Sequence, residues 1–294
     1  MQERIIITMT TYSKRIGNIP TVLDTIYAQT VSPDLVVINL AYEEIVPDKV
    51  QNYINAHNIE VNRQPDTKVY KKIVPTLKKY PNDCVINIDD DKLYPPEMIA
   101  DFMDIHNKYP NNPISGNRQI FAGRQCHHGY ASLVKAEYFG EYMDLIMDDD
   151  VMANCKSSDL VYTYFANKAG NPYIRTTNIY YSNLARYNEV DGYSNKQRGD
   201  FGDIYTKTFA YLIDRFGPLQ GMIESYVKDP YIAQIIYDIN IESQSEEVQN
   251  YYKQKYTKLL ESSPSYKLGR FLLCPFRAIK RMVNKNKYVP MTQK

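Results

Sequence analysis

The strongest constraint on this chain is an alternation. Short β-branched runs are separated by stretches whose apolar residues recur at helical spacing. Residues 4–10 read as a buried strand and residues 35–40 as a second, a weaker one surrounds Val61, and residues 84–88 make a fourth. Between them, Gly17 and Pro20 open a helix that carries Val22, Leu23, Ile26 and Tyr27 on one face. Another helix is expected around Val50, Tyr53 and Ile54, and residues 69–80 read as a third in spite of Pro75. A β-α-β-α order predicts a mostly parallel sheet with helices on both faces, because parallel neighbours need a crossover and the helix supplies it. Ligands of such sheets sit at the carboxyl ends of the strands.

The rest of the chain is less regular. Residues 110–200 are rich in Asn, Gly and Tyr, with a helix expected at 159–169 and another at 209–216. Residues 246–260 read as a polar, Tyr-rich outer helix. The organisation expected is an α/β domain over residues 1–240, the outer helix within 241–263 and a basic tail over 264–294.

Composition narrows the classes. With 294 residues, 44% apolar and 23% charged, the chain can bury a sizeable core. No stretch approaches the roughly 20 apolar residues that span a bilayer, and the first residues do not resemble a signal peptide. Cys84, Cys126, Cys155 and Cys274 lie far apart and match neither a zinc spacing nor a small disulfide framework, so a cytoplasmic location is expected. Net charge is +1, yet residues 264–294 hold eight basic residues and no acidic ones. The remaining 27 basic residues face all 34 acidic ones. An acidic body of this kind argues against nucleic acid as a partner.

Asp89-Asp90-Asp91 follows the fourth strand directly. Three adjacent carboxylates repel one another unless something neutralises them. Mg²⁺ or Mn²⁺, which prefer hard oxygen ligands together with substrate phosphates, would do so. In an extended segment Asp89 and Asp91 point to one side and could share an ion. The plainer reading is an acidic turn with a helix cap, but the strand before the triplet and Tyr94-Pro95 after it favour a site. Asp148-Asp149-Asp150 has no strand before it and reads as a solvated loop.

The segments Tyr70-Lys71-Lys72-Ile73-Val74-Pro75, Tyr80-Pro81, Val85 to Asp91 and Tyr94-Pro95 together resemble a group of bacterial glycosyltransferases of the GT-A type. Thr8 to Ile16 resembles their first strand and loop, and Gln29-Thr30 also matches. The resemblance implies a GT-A, Rossmann-like fold, mostly parallel and flanked by helices, with a C-terminal helical appendage. It implies Asp89 and Asp91 as metal ligands and Asp90 as the middle member of the motif. It places Thr10, Tyr12, Arg15, Asp66, Lys71 and Lys72 near the donor, a nucleotide-sugar with a UDP-sugar expected first. For the two lysines a solvated helix face, and for Arg15 a surface salt bridge, are the competing readings.

Residues 155–162 resemble the family segment Cys-Pro-Thr-Ala-Asp-Asp-Ile-Trp, although Ser158 stands where that pattern has its first Asp. Asp159 keeps the second carboxylate, and the resemblance gives it the role of general base toward the acceptor hydroxyl in an inverting transfer. The alternative is that Ser157, Ser158 or Asp159 caps a helix. No histidine follows His128; His127 and His128 read as structural or solvent-facing, which leaves the diphosphate and water to complete a metal shell.

In the tail, Leu268, Leu272, Phe276, Ile279 and Val283 fall on one helical face and Lys267, Arg270, Arg277 and Arg281 opposite. That pattern suits an anionic membrane surface, or a helix packed on the protein itself. The function expected is transfer of a sugar to a glycan or lipid-linked acceptor in cell-surface polysaccharide synthesis. The protein would be cytoplasmic, peripheral at the inner face of the membrane. A sugar-nucleotide nucleotidyltransferase and a non-catalytic glycan-binding protein are the rivals.

Overall fold

Three successive crossovers build the half of the sheet that carries the aspartates. The computed structural model describes residues 3–116, 120–121, 124–127, 130–176, 182–183 and 201–219, all within one unit, Met1–Met222. In chain order come β1 (Ile5–Thr10), α1 (Ile19–Tyr27), β2 (Leu35–Ala41), α2 (Asp48–Ala56), β3 (Glu60–Gln64), α3 (Val74–Lys79) and β4 (Cys84–Ile88). Then follow β5 (Lys92–Leu93), α4 (Met98–Lys108), β6 (Ile114–Ser115), the hairpin strands β7 (Ile120–Phe121) and β8 (Arg124–Gln125), and β9 (Ala131–Val134). A 3-10 stretch at Ala136–Met147 leads to α5 (Asp149–Asn154), α6 (Ser158–Lys168), β10 (Ile174–Arg175), β11 (Ser182–Asn183) and α7 (Phe201–Phe216).

Among the described residues the central sheet has seven strands in the order β10-β6-β9-β4-β1-β2-β3. β1 pairs in parallel with β2 and β4, and β2 with β3. β9 runs antiparallel to both β4 and β6. Strand order therefore reverses at β1, since β2 lies on one side of it and β4 on the other. β1 and β4 are neighbours there, so the loops that follow them lie side by side at the carboxyl ends, where the crevice of an open α/β sheet binds ligands.

Each face of the sheet has its own core, because side chains alternate along a strand. On one face Ile7, Met9, Ile38, Leu40 and Ile86 pack against Ile19, Val22, Leu23 and Ile26 of α1 and against α4. On the other, Ile6, Val37 and Val85 meet Ile73, Val74 and Leu77, then Leu160, Phe165 and Leu212 from α6 and α7. Each fully buried aliphatic side chain contributes about 1.5–3 kcal/mol. Tyr27, expected on the buried face of α1, is 37% exposed; Ile19 takes its place. Among the described residues no helix is long and apolar enough to cross a membrane.

Two local expectations are corrected. The helix expected over residues 69–80 is split into a 3-10 turn, Lys68–Lys72, and α3, whose first turn holds Pro75. Proline is tolerated there because the first N–H groups of a helix have no intrahelical partner. The acidic run at 148–150 is a helix start rather than a loop. The Asp148 side chain accepts from the backbone N–H groups of Asp150 and Val151 at 3.1 and 3.2 Å, and Asp149 and Asp150 occupy the first turn of α5. Carboxylates are favoured at that end by the helix dipole, and Arg215 pairs with Asp148 and Asp150. The outer helix at 246–260 and the tail at 264–294 lie outside the described residues.

Candidate active site at the strand ends

The face of the sheet under the Lys68–Lys72 turn changes character along its strands. In β1, β2 and β4 the apolar Ile6, Val37 and Val85 are followed two residues later by Thr8, Asn39 and Asn87, all fully buried. Buried polar groups of this kind must find partners. The Asn39 amide donates to the hydroxyls of Thr8 and Thr76, both at 2.9 Å, and Thr8 donates to the Lys72 carbonyl at 2.8 Å. Asn62 donates to the Asn39 side-chain oxygen at 2.9 Å. This network fixes the backbone of Lys72 above the sheet, and the Lys72 ammonium pairs with Asp89, one residue past the end of β4.

The loop after β1 supplies the other wall. Arg15 and Ile16 donate their N–H groups to the Tyr12 carbonyl, curling residues 12–16 back toward β4. Arg15 Nη1 then lies 2.9 Å from Asp90 Oδ1 and 3.1 Å from Asp91 Oδ2. Thr11 donates to the other Asp90 oxygen at 2.7 Å, and the Asn18 amide donates to the Asp90 carbonyl. Asp90 is 5% exposed. Burial pushes its carboxyl above the ordinary value, against the pull of Arg15 and Thr11. Arg15 loses water in the same place, yet Asp90 and Asp91 hold its pKa above the ordinary value. Lys92, in β5, places its ammonium 3.0 Å from Asp91 Oδ1 and 4.6 Å from the Tyr130 ring centre. The Asp89 N–H donates to the Tyr94 hydroxyl at 2.8 Å, and that hydroxyl donates to the Tyr130 carbonyl.

Arg15, Lys72, Asp89, Asp90 and Asp91 are thus brought together. Lys71 and Lys72 are 5% and 9% exposed, so neither lies on a solvated helix face, and Arg15 is no surface ion pair. Lys71 instead pairs with Asp66 at 2.7 Å within the same turn, where Lys68 pairs with Asp66 as well. The Thr10 hydroxyl donates to the Asn39 carbonyl, and the Tyr12 ring lies 5.6 Å from the Arg15 guanidinium. Thr11, Asn18, Lys92 and Tyr130 escaped the sequence reading. Only Lys92 carried a signal, a cation directly after three carboxylates.

Asp159 stands apart, in the first turn of α6. Ser157 is the cap, its hydroxyl accepting from the Leu160 N–H at 3.4 Å. The cap role therefore falls to Ser157. Asp159 is half-buried and lines a cavity with Val69, Lys156, Ile204 and Tyr205. Tyr70 ties this region to the aspartates: its hydroxyl donates to the Cys155 carbonyl at 2.6 Å, two residues from Lys72. Burial, then Cys155 and Asp159, hold the Tyr70 hydroxyl well above its ordinary pKa. His127 is 1% exposed, donates its backbone N–H to the Thr163 hydroxyl oxygen and packs on Tyr162 and Tyr173, a structural role.

Asp89 and Asp91 offer hard carboxylate oxygens, the donors that Mg²⁺ and Mn²⁺ take, with room left in the shell for phosphate oxygens and water. Among the described residues the buried Arg15 Nε has no hydrogen-bond partner, which makes it a donor suited to an anionic oxygen. The residues fit a metal-diphosphate group. A separate cluster, Glu3, Cys84 and His106, lies at the amino ends of β1 and β4. There Glu3 is already neutralised by Lys135 at 2.5 Å and hydrogen-bonded to His106 and Cys84.

No protein-family model and no curated protein matches the chain. A solved mannosyltransferase, PcManGT from Pyrobaculum calidifontis in complex with GDP-Man and Mn²⁺, is similar over 97% of this chain and 88% of its own, with 15% identity and a TM-score of 0.55. A 4-diphosphocytidyl-2C-methyl-D-erythritol synthase aligns over 60% of this chain and 90% of its own, at 14% identity and a TM-score of 0.40. At such identities the first likeness is one of architecture: the chain has a GT-A, Rossmann-like α/β fold, a mostly parallel sheet flanked by helices.

Proposed function

We propose that the chain is a metal-dependent glycosyltransferase that moves a sugar from a nucleotide-diphosphate donor to a glycan or lipid-linked acceptor, with inversion, in cell-surface polysaccharide synthesis. One observation carries the reading. Asp89 and Asp91 stand at the carboxyl end of β4, beside the point where strand order reverses, and are ringed by Lys72, Arg15 and Lys92.

Asp89 and Asp91 would hold Mn²⁺ or Mg²⁺, which supplies charge stabilisation to the departing diphosphate. Arg15 and Lys72 face the same oxygens and stabilise the negative charge that grows as the bond to the anomeric carbon breaks. Asp159 accepts the proton of the acceptor hydroxyl as its oxygen bonds to that carbon. Asp90, closed in by Thr11 and Arg15, positions its neighbours. Thr10, Tyr12, Asp66 and Lys71 shape the donor side of the crevice. The expected UDP-sugar is one donor to test; the solved mannosyltransferase holds GDP-Man, so GDP-sugars are the other. The basic tail, on its sequence pattern, is proposed to hold the protein at an anionic membrane.

A donor-hydrolysis assay with UDP- and GDP-sugars, with and without Mn²⁺, tests the reading. Nucleotide release that depends on Mn²⁺ and is lost in Asp91→Asn is expected. Release of pyrophosphate from a nucleoside triphosphate and a sugar phosphate would show the nucleotidyltransferase instead, and no turnover of any of these would leave a glycan-binding protein.

A further inference from the structure

Every carboxylate of the aspartate run carries a cation belonging to the chain itself. The Lys72 ammonium sits on Asp89 Oδ1, and Arg15 on Asp90 Oδ1 at 2.9 Å. Asp91 is spanned, with Oδ2 toward Arg15 at 3.1 Å and Oδ1 toward Lys92 at 3.0 Å. Lys92 is 5% exposed, so it is held in place rather than sampling solvent. Among the described residues, the three carboxylates of the run are balanced by three cations. A divalent ion arriving alone would bring two positive charges into a largely dry site and would have to take an Asp91 oxygen from Arg15 or Lys92. A sugar-nucleotide diphosphate arriving alone would bring two negative charges beside three carboxylates. Arriving together, the two restore neutrality, and the lysines exchange carboxylate oxygens for phosphate oxygens.

We propose that Lys72 and Lys92 hold the metal position of Asp89 and Asp91 in the free protein, so that metal and diphosphate bind weakly apart and strongly together. This inference rests on the reading of the site as a nucleotide-sugar site. The coupling is a free energy between two ligands and is reciprocal: each raises the affinity of the other by the same factor. The lysines act as positioning residues, present as counter-ions before binding and as diphosphate donors after it.

The test is calorimetric titration of the full chain with Mn²⁺ alone, with UDP or GDP alone, and with each nucleotide in the presence of Mn²⁺. The binding of Mn²⁺ to free nucleotide is measured in buffer and subtracted through the thermodynamic cycle. The wild-type chain should show a coupling factor of about tenfold or more. Lys92→Met keeps the side chain's length over Tyr130 and removes its charge. It should bind Mn²⁺ alone about tenfold more tightly than wild type, with a smaller coupling factor. Lys72→Met should do the same through Asp89, and serves if Lys92→Met fails to fold by circular dichroism. Equal Mn²⁺ affinity in wild type and the folded variants, or independent binding of metal and nucleotide, would overturn the inference while leaving the functional reading in place. A wild-type chain that binds neither Mn²⁺ nor either nucleotide would overturn both.

Discussion

Asn39→Leu should destabilise the protein more than any exposed substitution and should loosen the site with it. Asn39 is fully buried in β2, and its side chain makes three hydrogen bonds at 2.9 Å, to Thr8, Thr76 and Asn62, with longer contacts to the Lys72 carbonyl and Gln64 at 3.3 Å. Each net hydrogen bond contributes about 1 kcal/mol, and a buried group left without its partner costs about 1–3 kcal/mol more. Leucine has a similar volume and returns about 1–2 kcal/mol of apolar burial. Thr8 and Thr76 still bond to each other, and half-buried Asn62 can turn to water, which limits the stranded groups. The net loss comes to about 2–3 kcal/mol. Urea unfolding followed by far-UV circular dichroism measures it, since the chain has no tryptophan. Because Asn39 and Thr8 anchor the Lys72 carbonyl, donor affinity should fall too, whereas Asn62→Ala should cost about 1 kcal/mol or less. A loss below about 0.5 kcal/mol for Asn39→Leu would refute the network as the anchor of the site.

Asp159→Asn should cut the transfer rate by at least about 10²-fold with little change in donor affinity, the range for a lost general base; a few-fold change with a lower melting temperature would mark Asp159 as merely structural. Although partial burial works the other way, hydrogen bonds from Lys68 and Lys71 hold the Asp66 carboxyl well below the usual range. Its contribution should therefore be complete above the unfolded value of about 4 and fade as pH falls below it. Melting temperatures of wild type and Asp66→Asn should differ by a constant amount above about pH 5 and converge in more acid solution; a gap that ignores pH would contradict this. Truncation after Ser263 should release the protein from anionic liposomes and preserve donor hydrolysis, with flotation against neutral liposomes as the control. Unchanged flotation would mean the tail packs on the protein.

How much of this could be read beforehand depends on the range of the forces involved. The strands at 5–10, 35–41 and 84–88 and the helices at 48–56 and 158–168 were legible because β-branched runs and helical spacing are properties of neighbouring residues. The place of Asp89 at a strand's carboxyl end followed from the same local pattern. Pro75 was misjudged because its effect depends on where the helix begins, and Asp148 because its role depends on a helix starting at the next residue. The charge state of the site belonged to the tertiary structure alone. Arg15 and Asp90 are 75 residues apart, and Tyr70 and Cys155 85 apart. Strand order β2-β1-β4 brings the first pair together across the sheet, and packing of α6 brings the second. A sequence shows three adjacent carboxylates and the need to neutralise them. Which cations do so is settled by burial and distance, because Coulomb interactions depend on separation in space and on the water excluded around them.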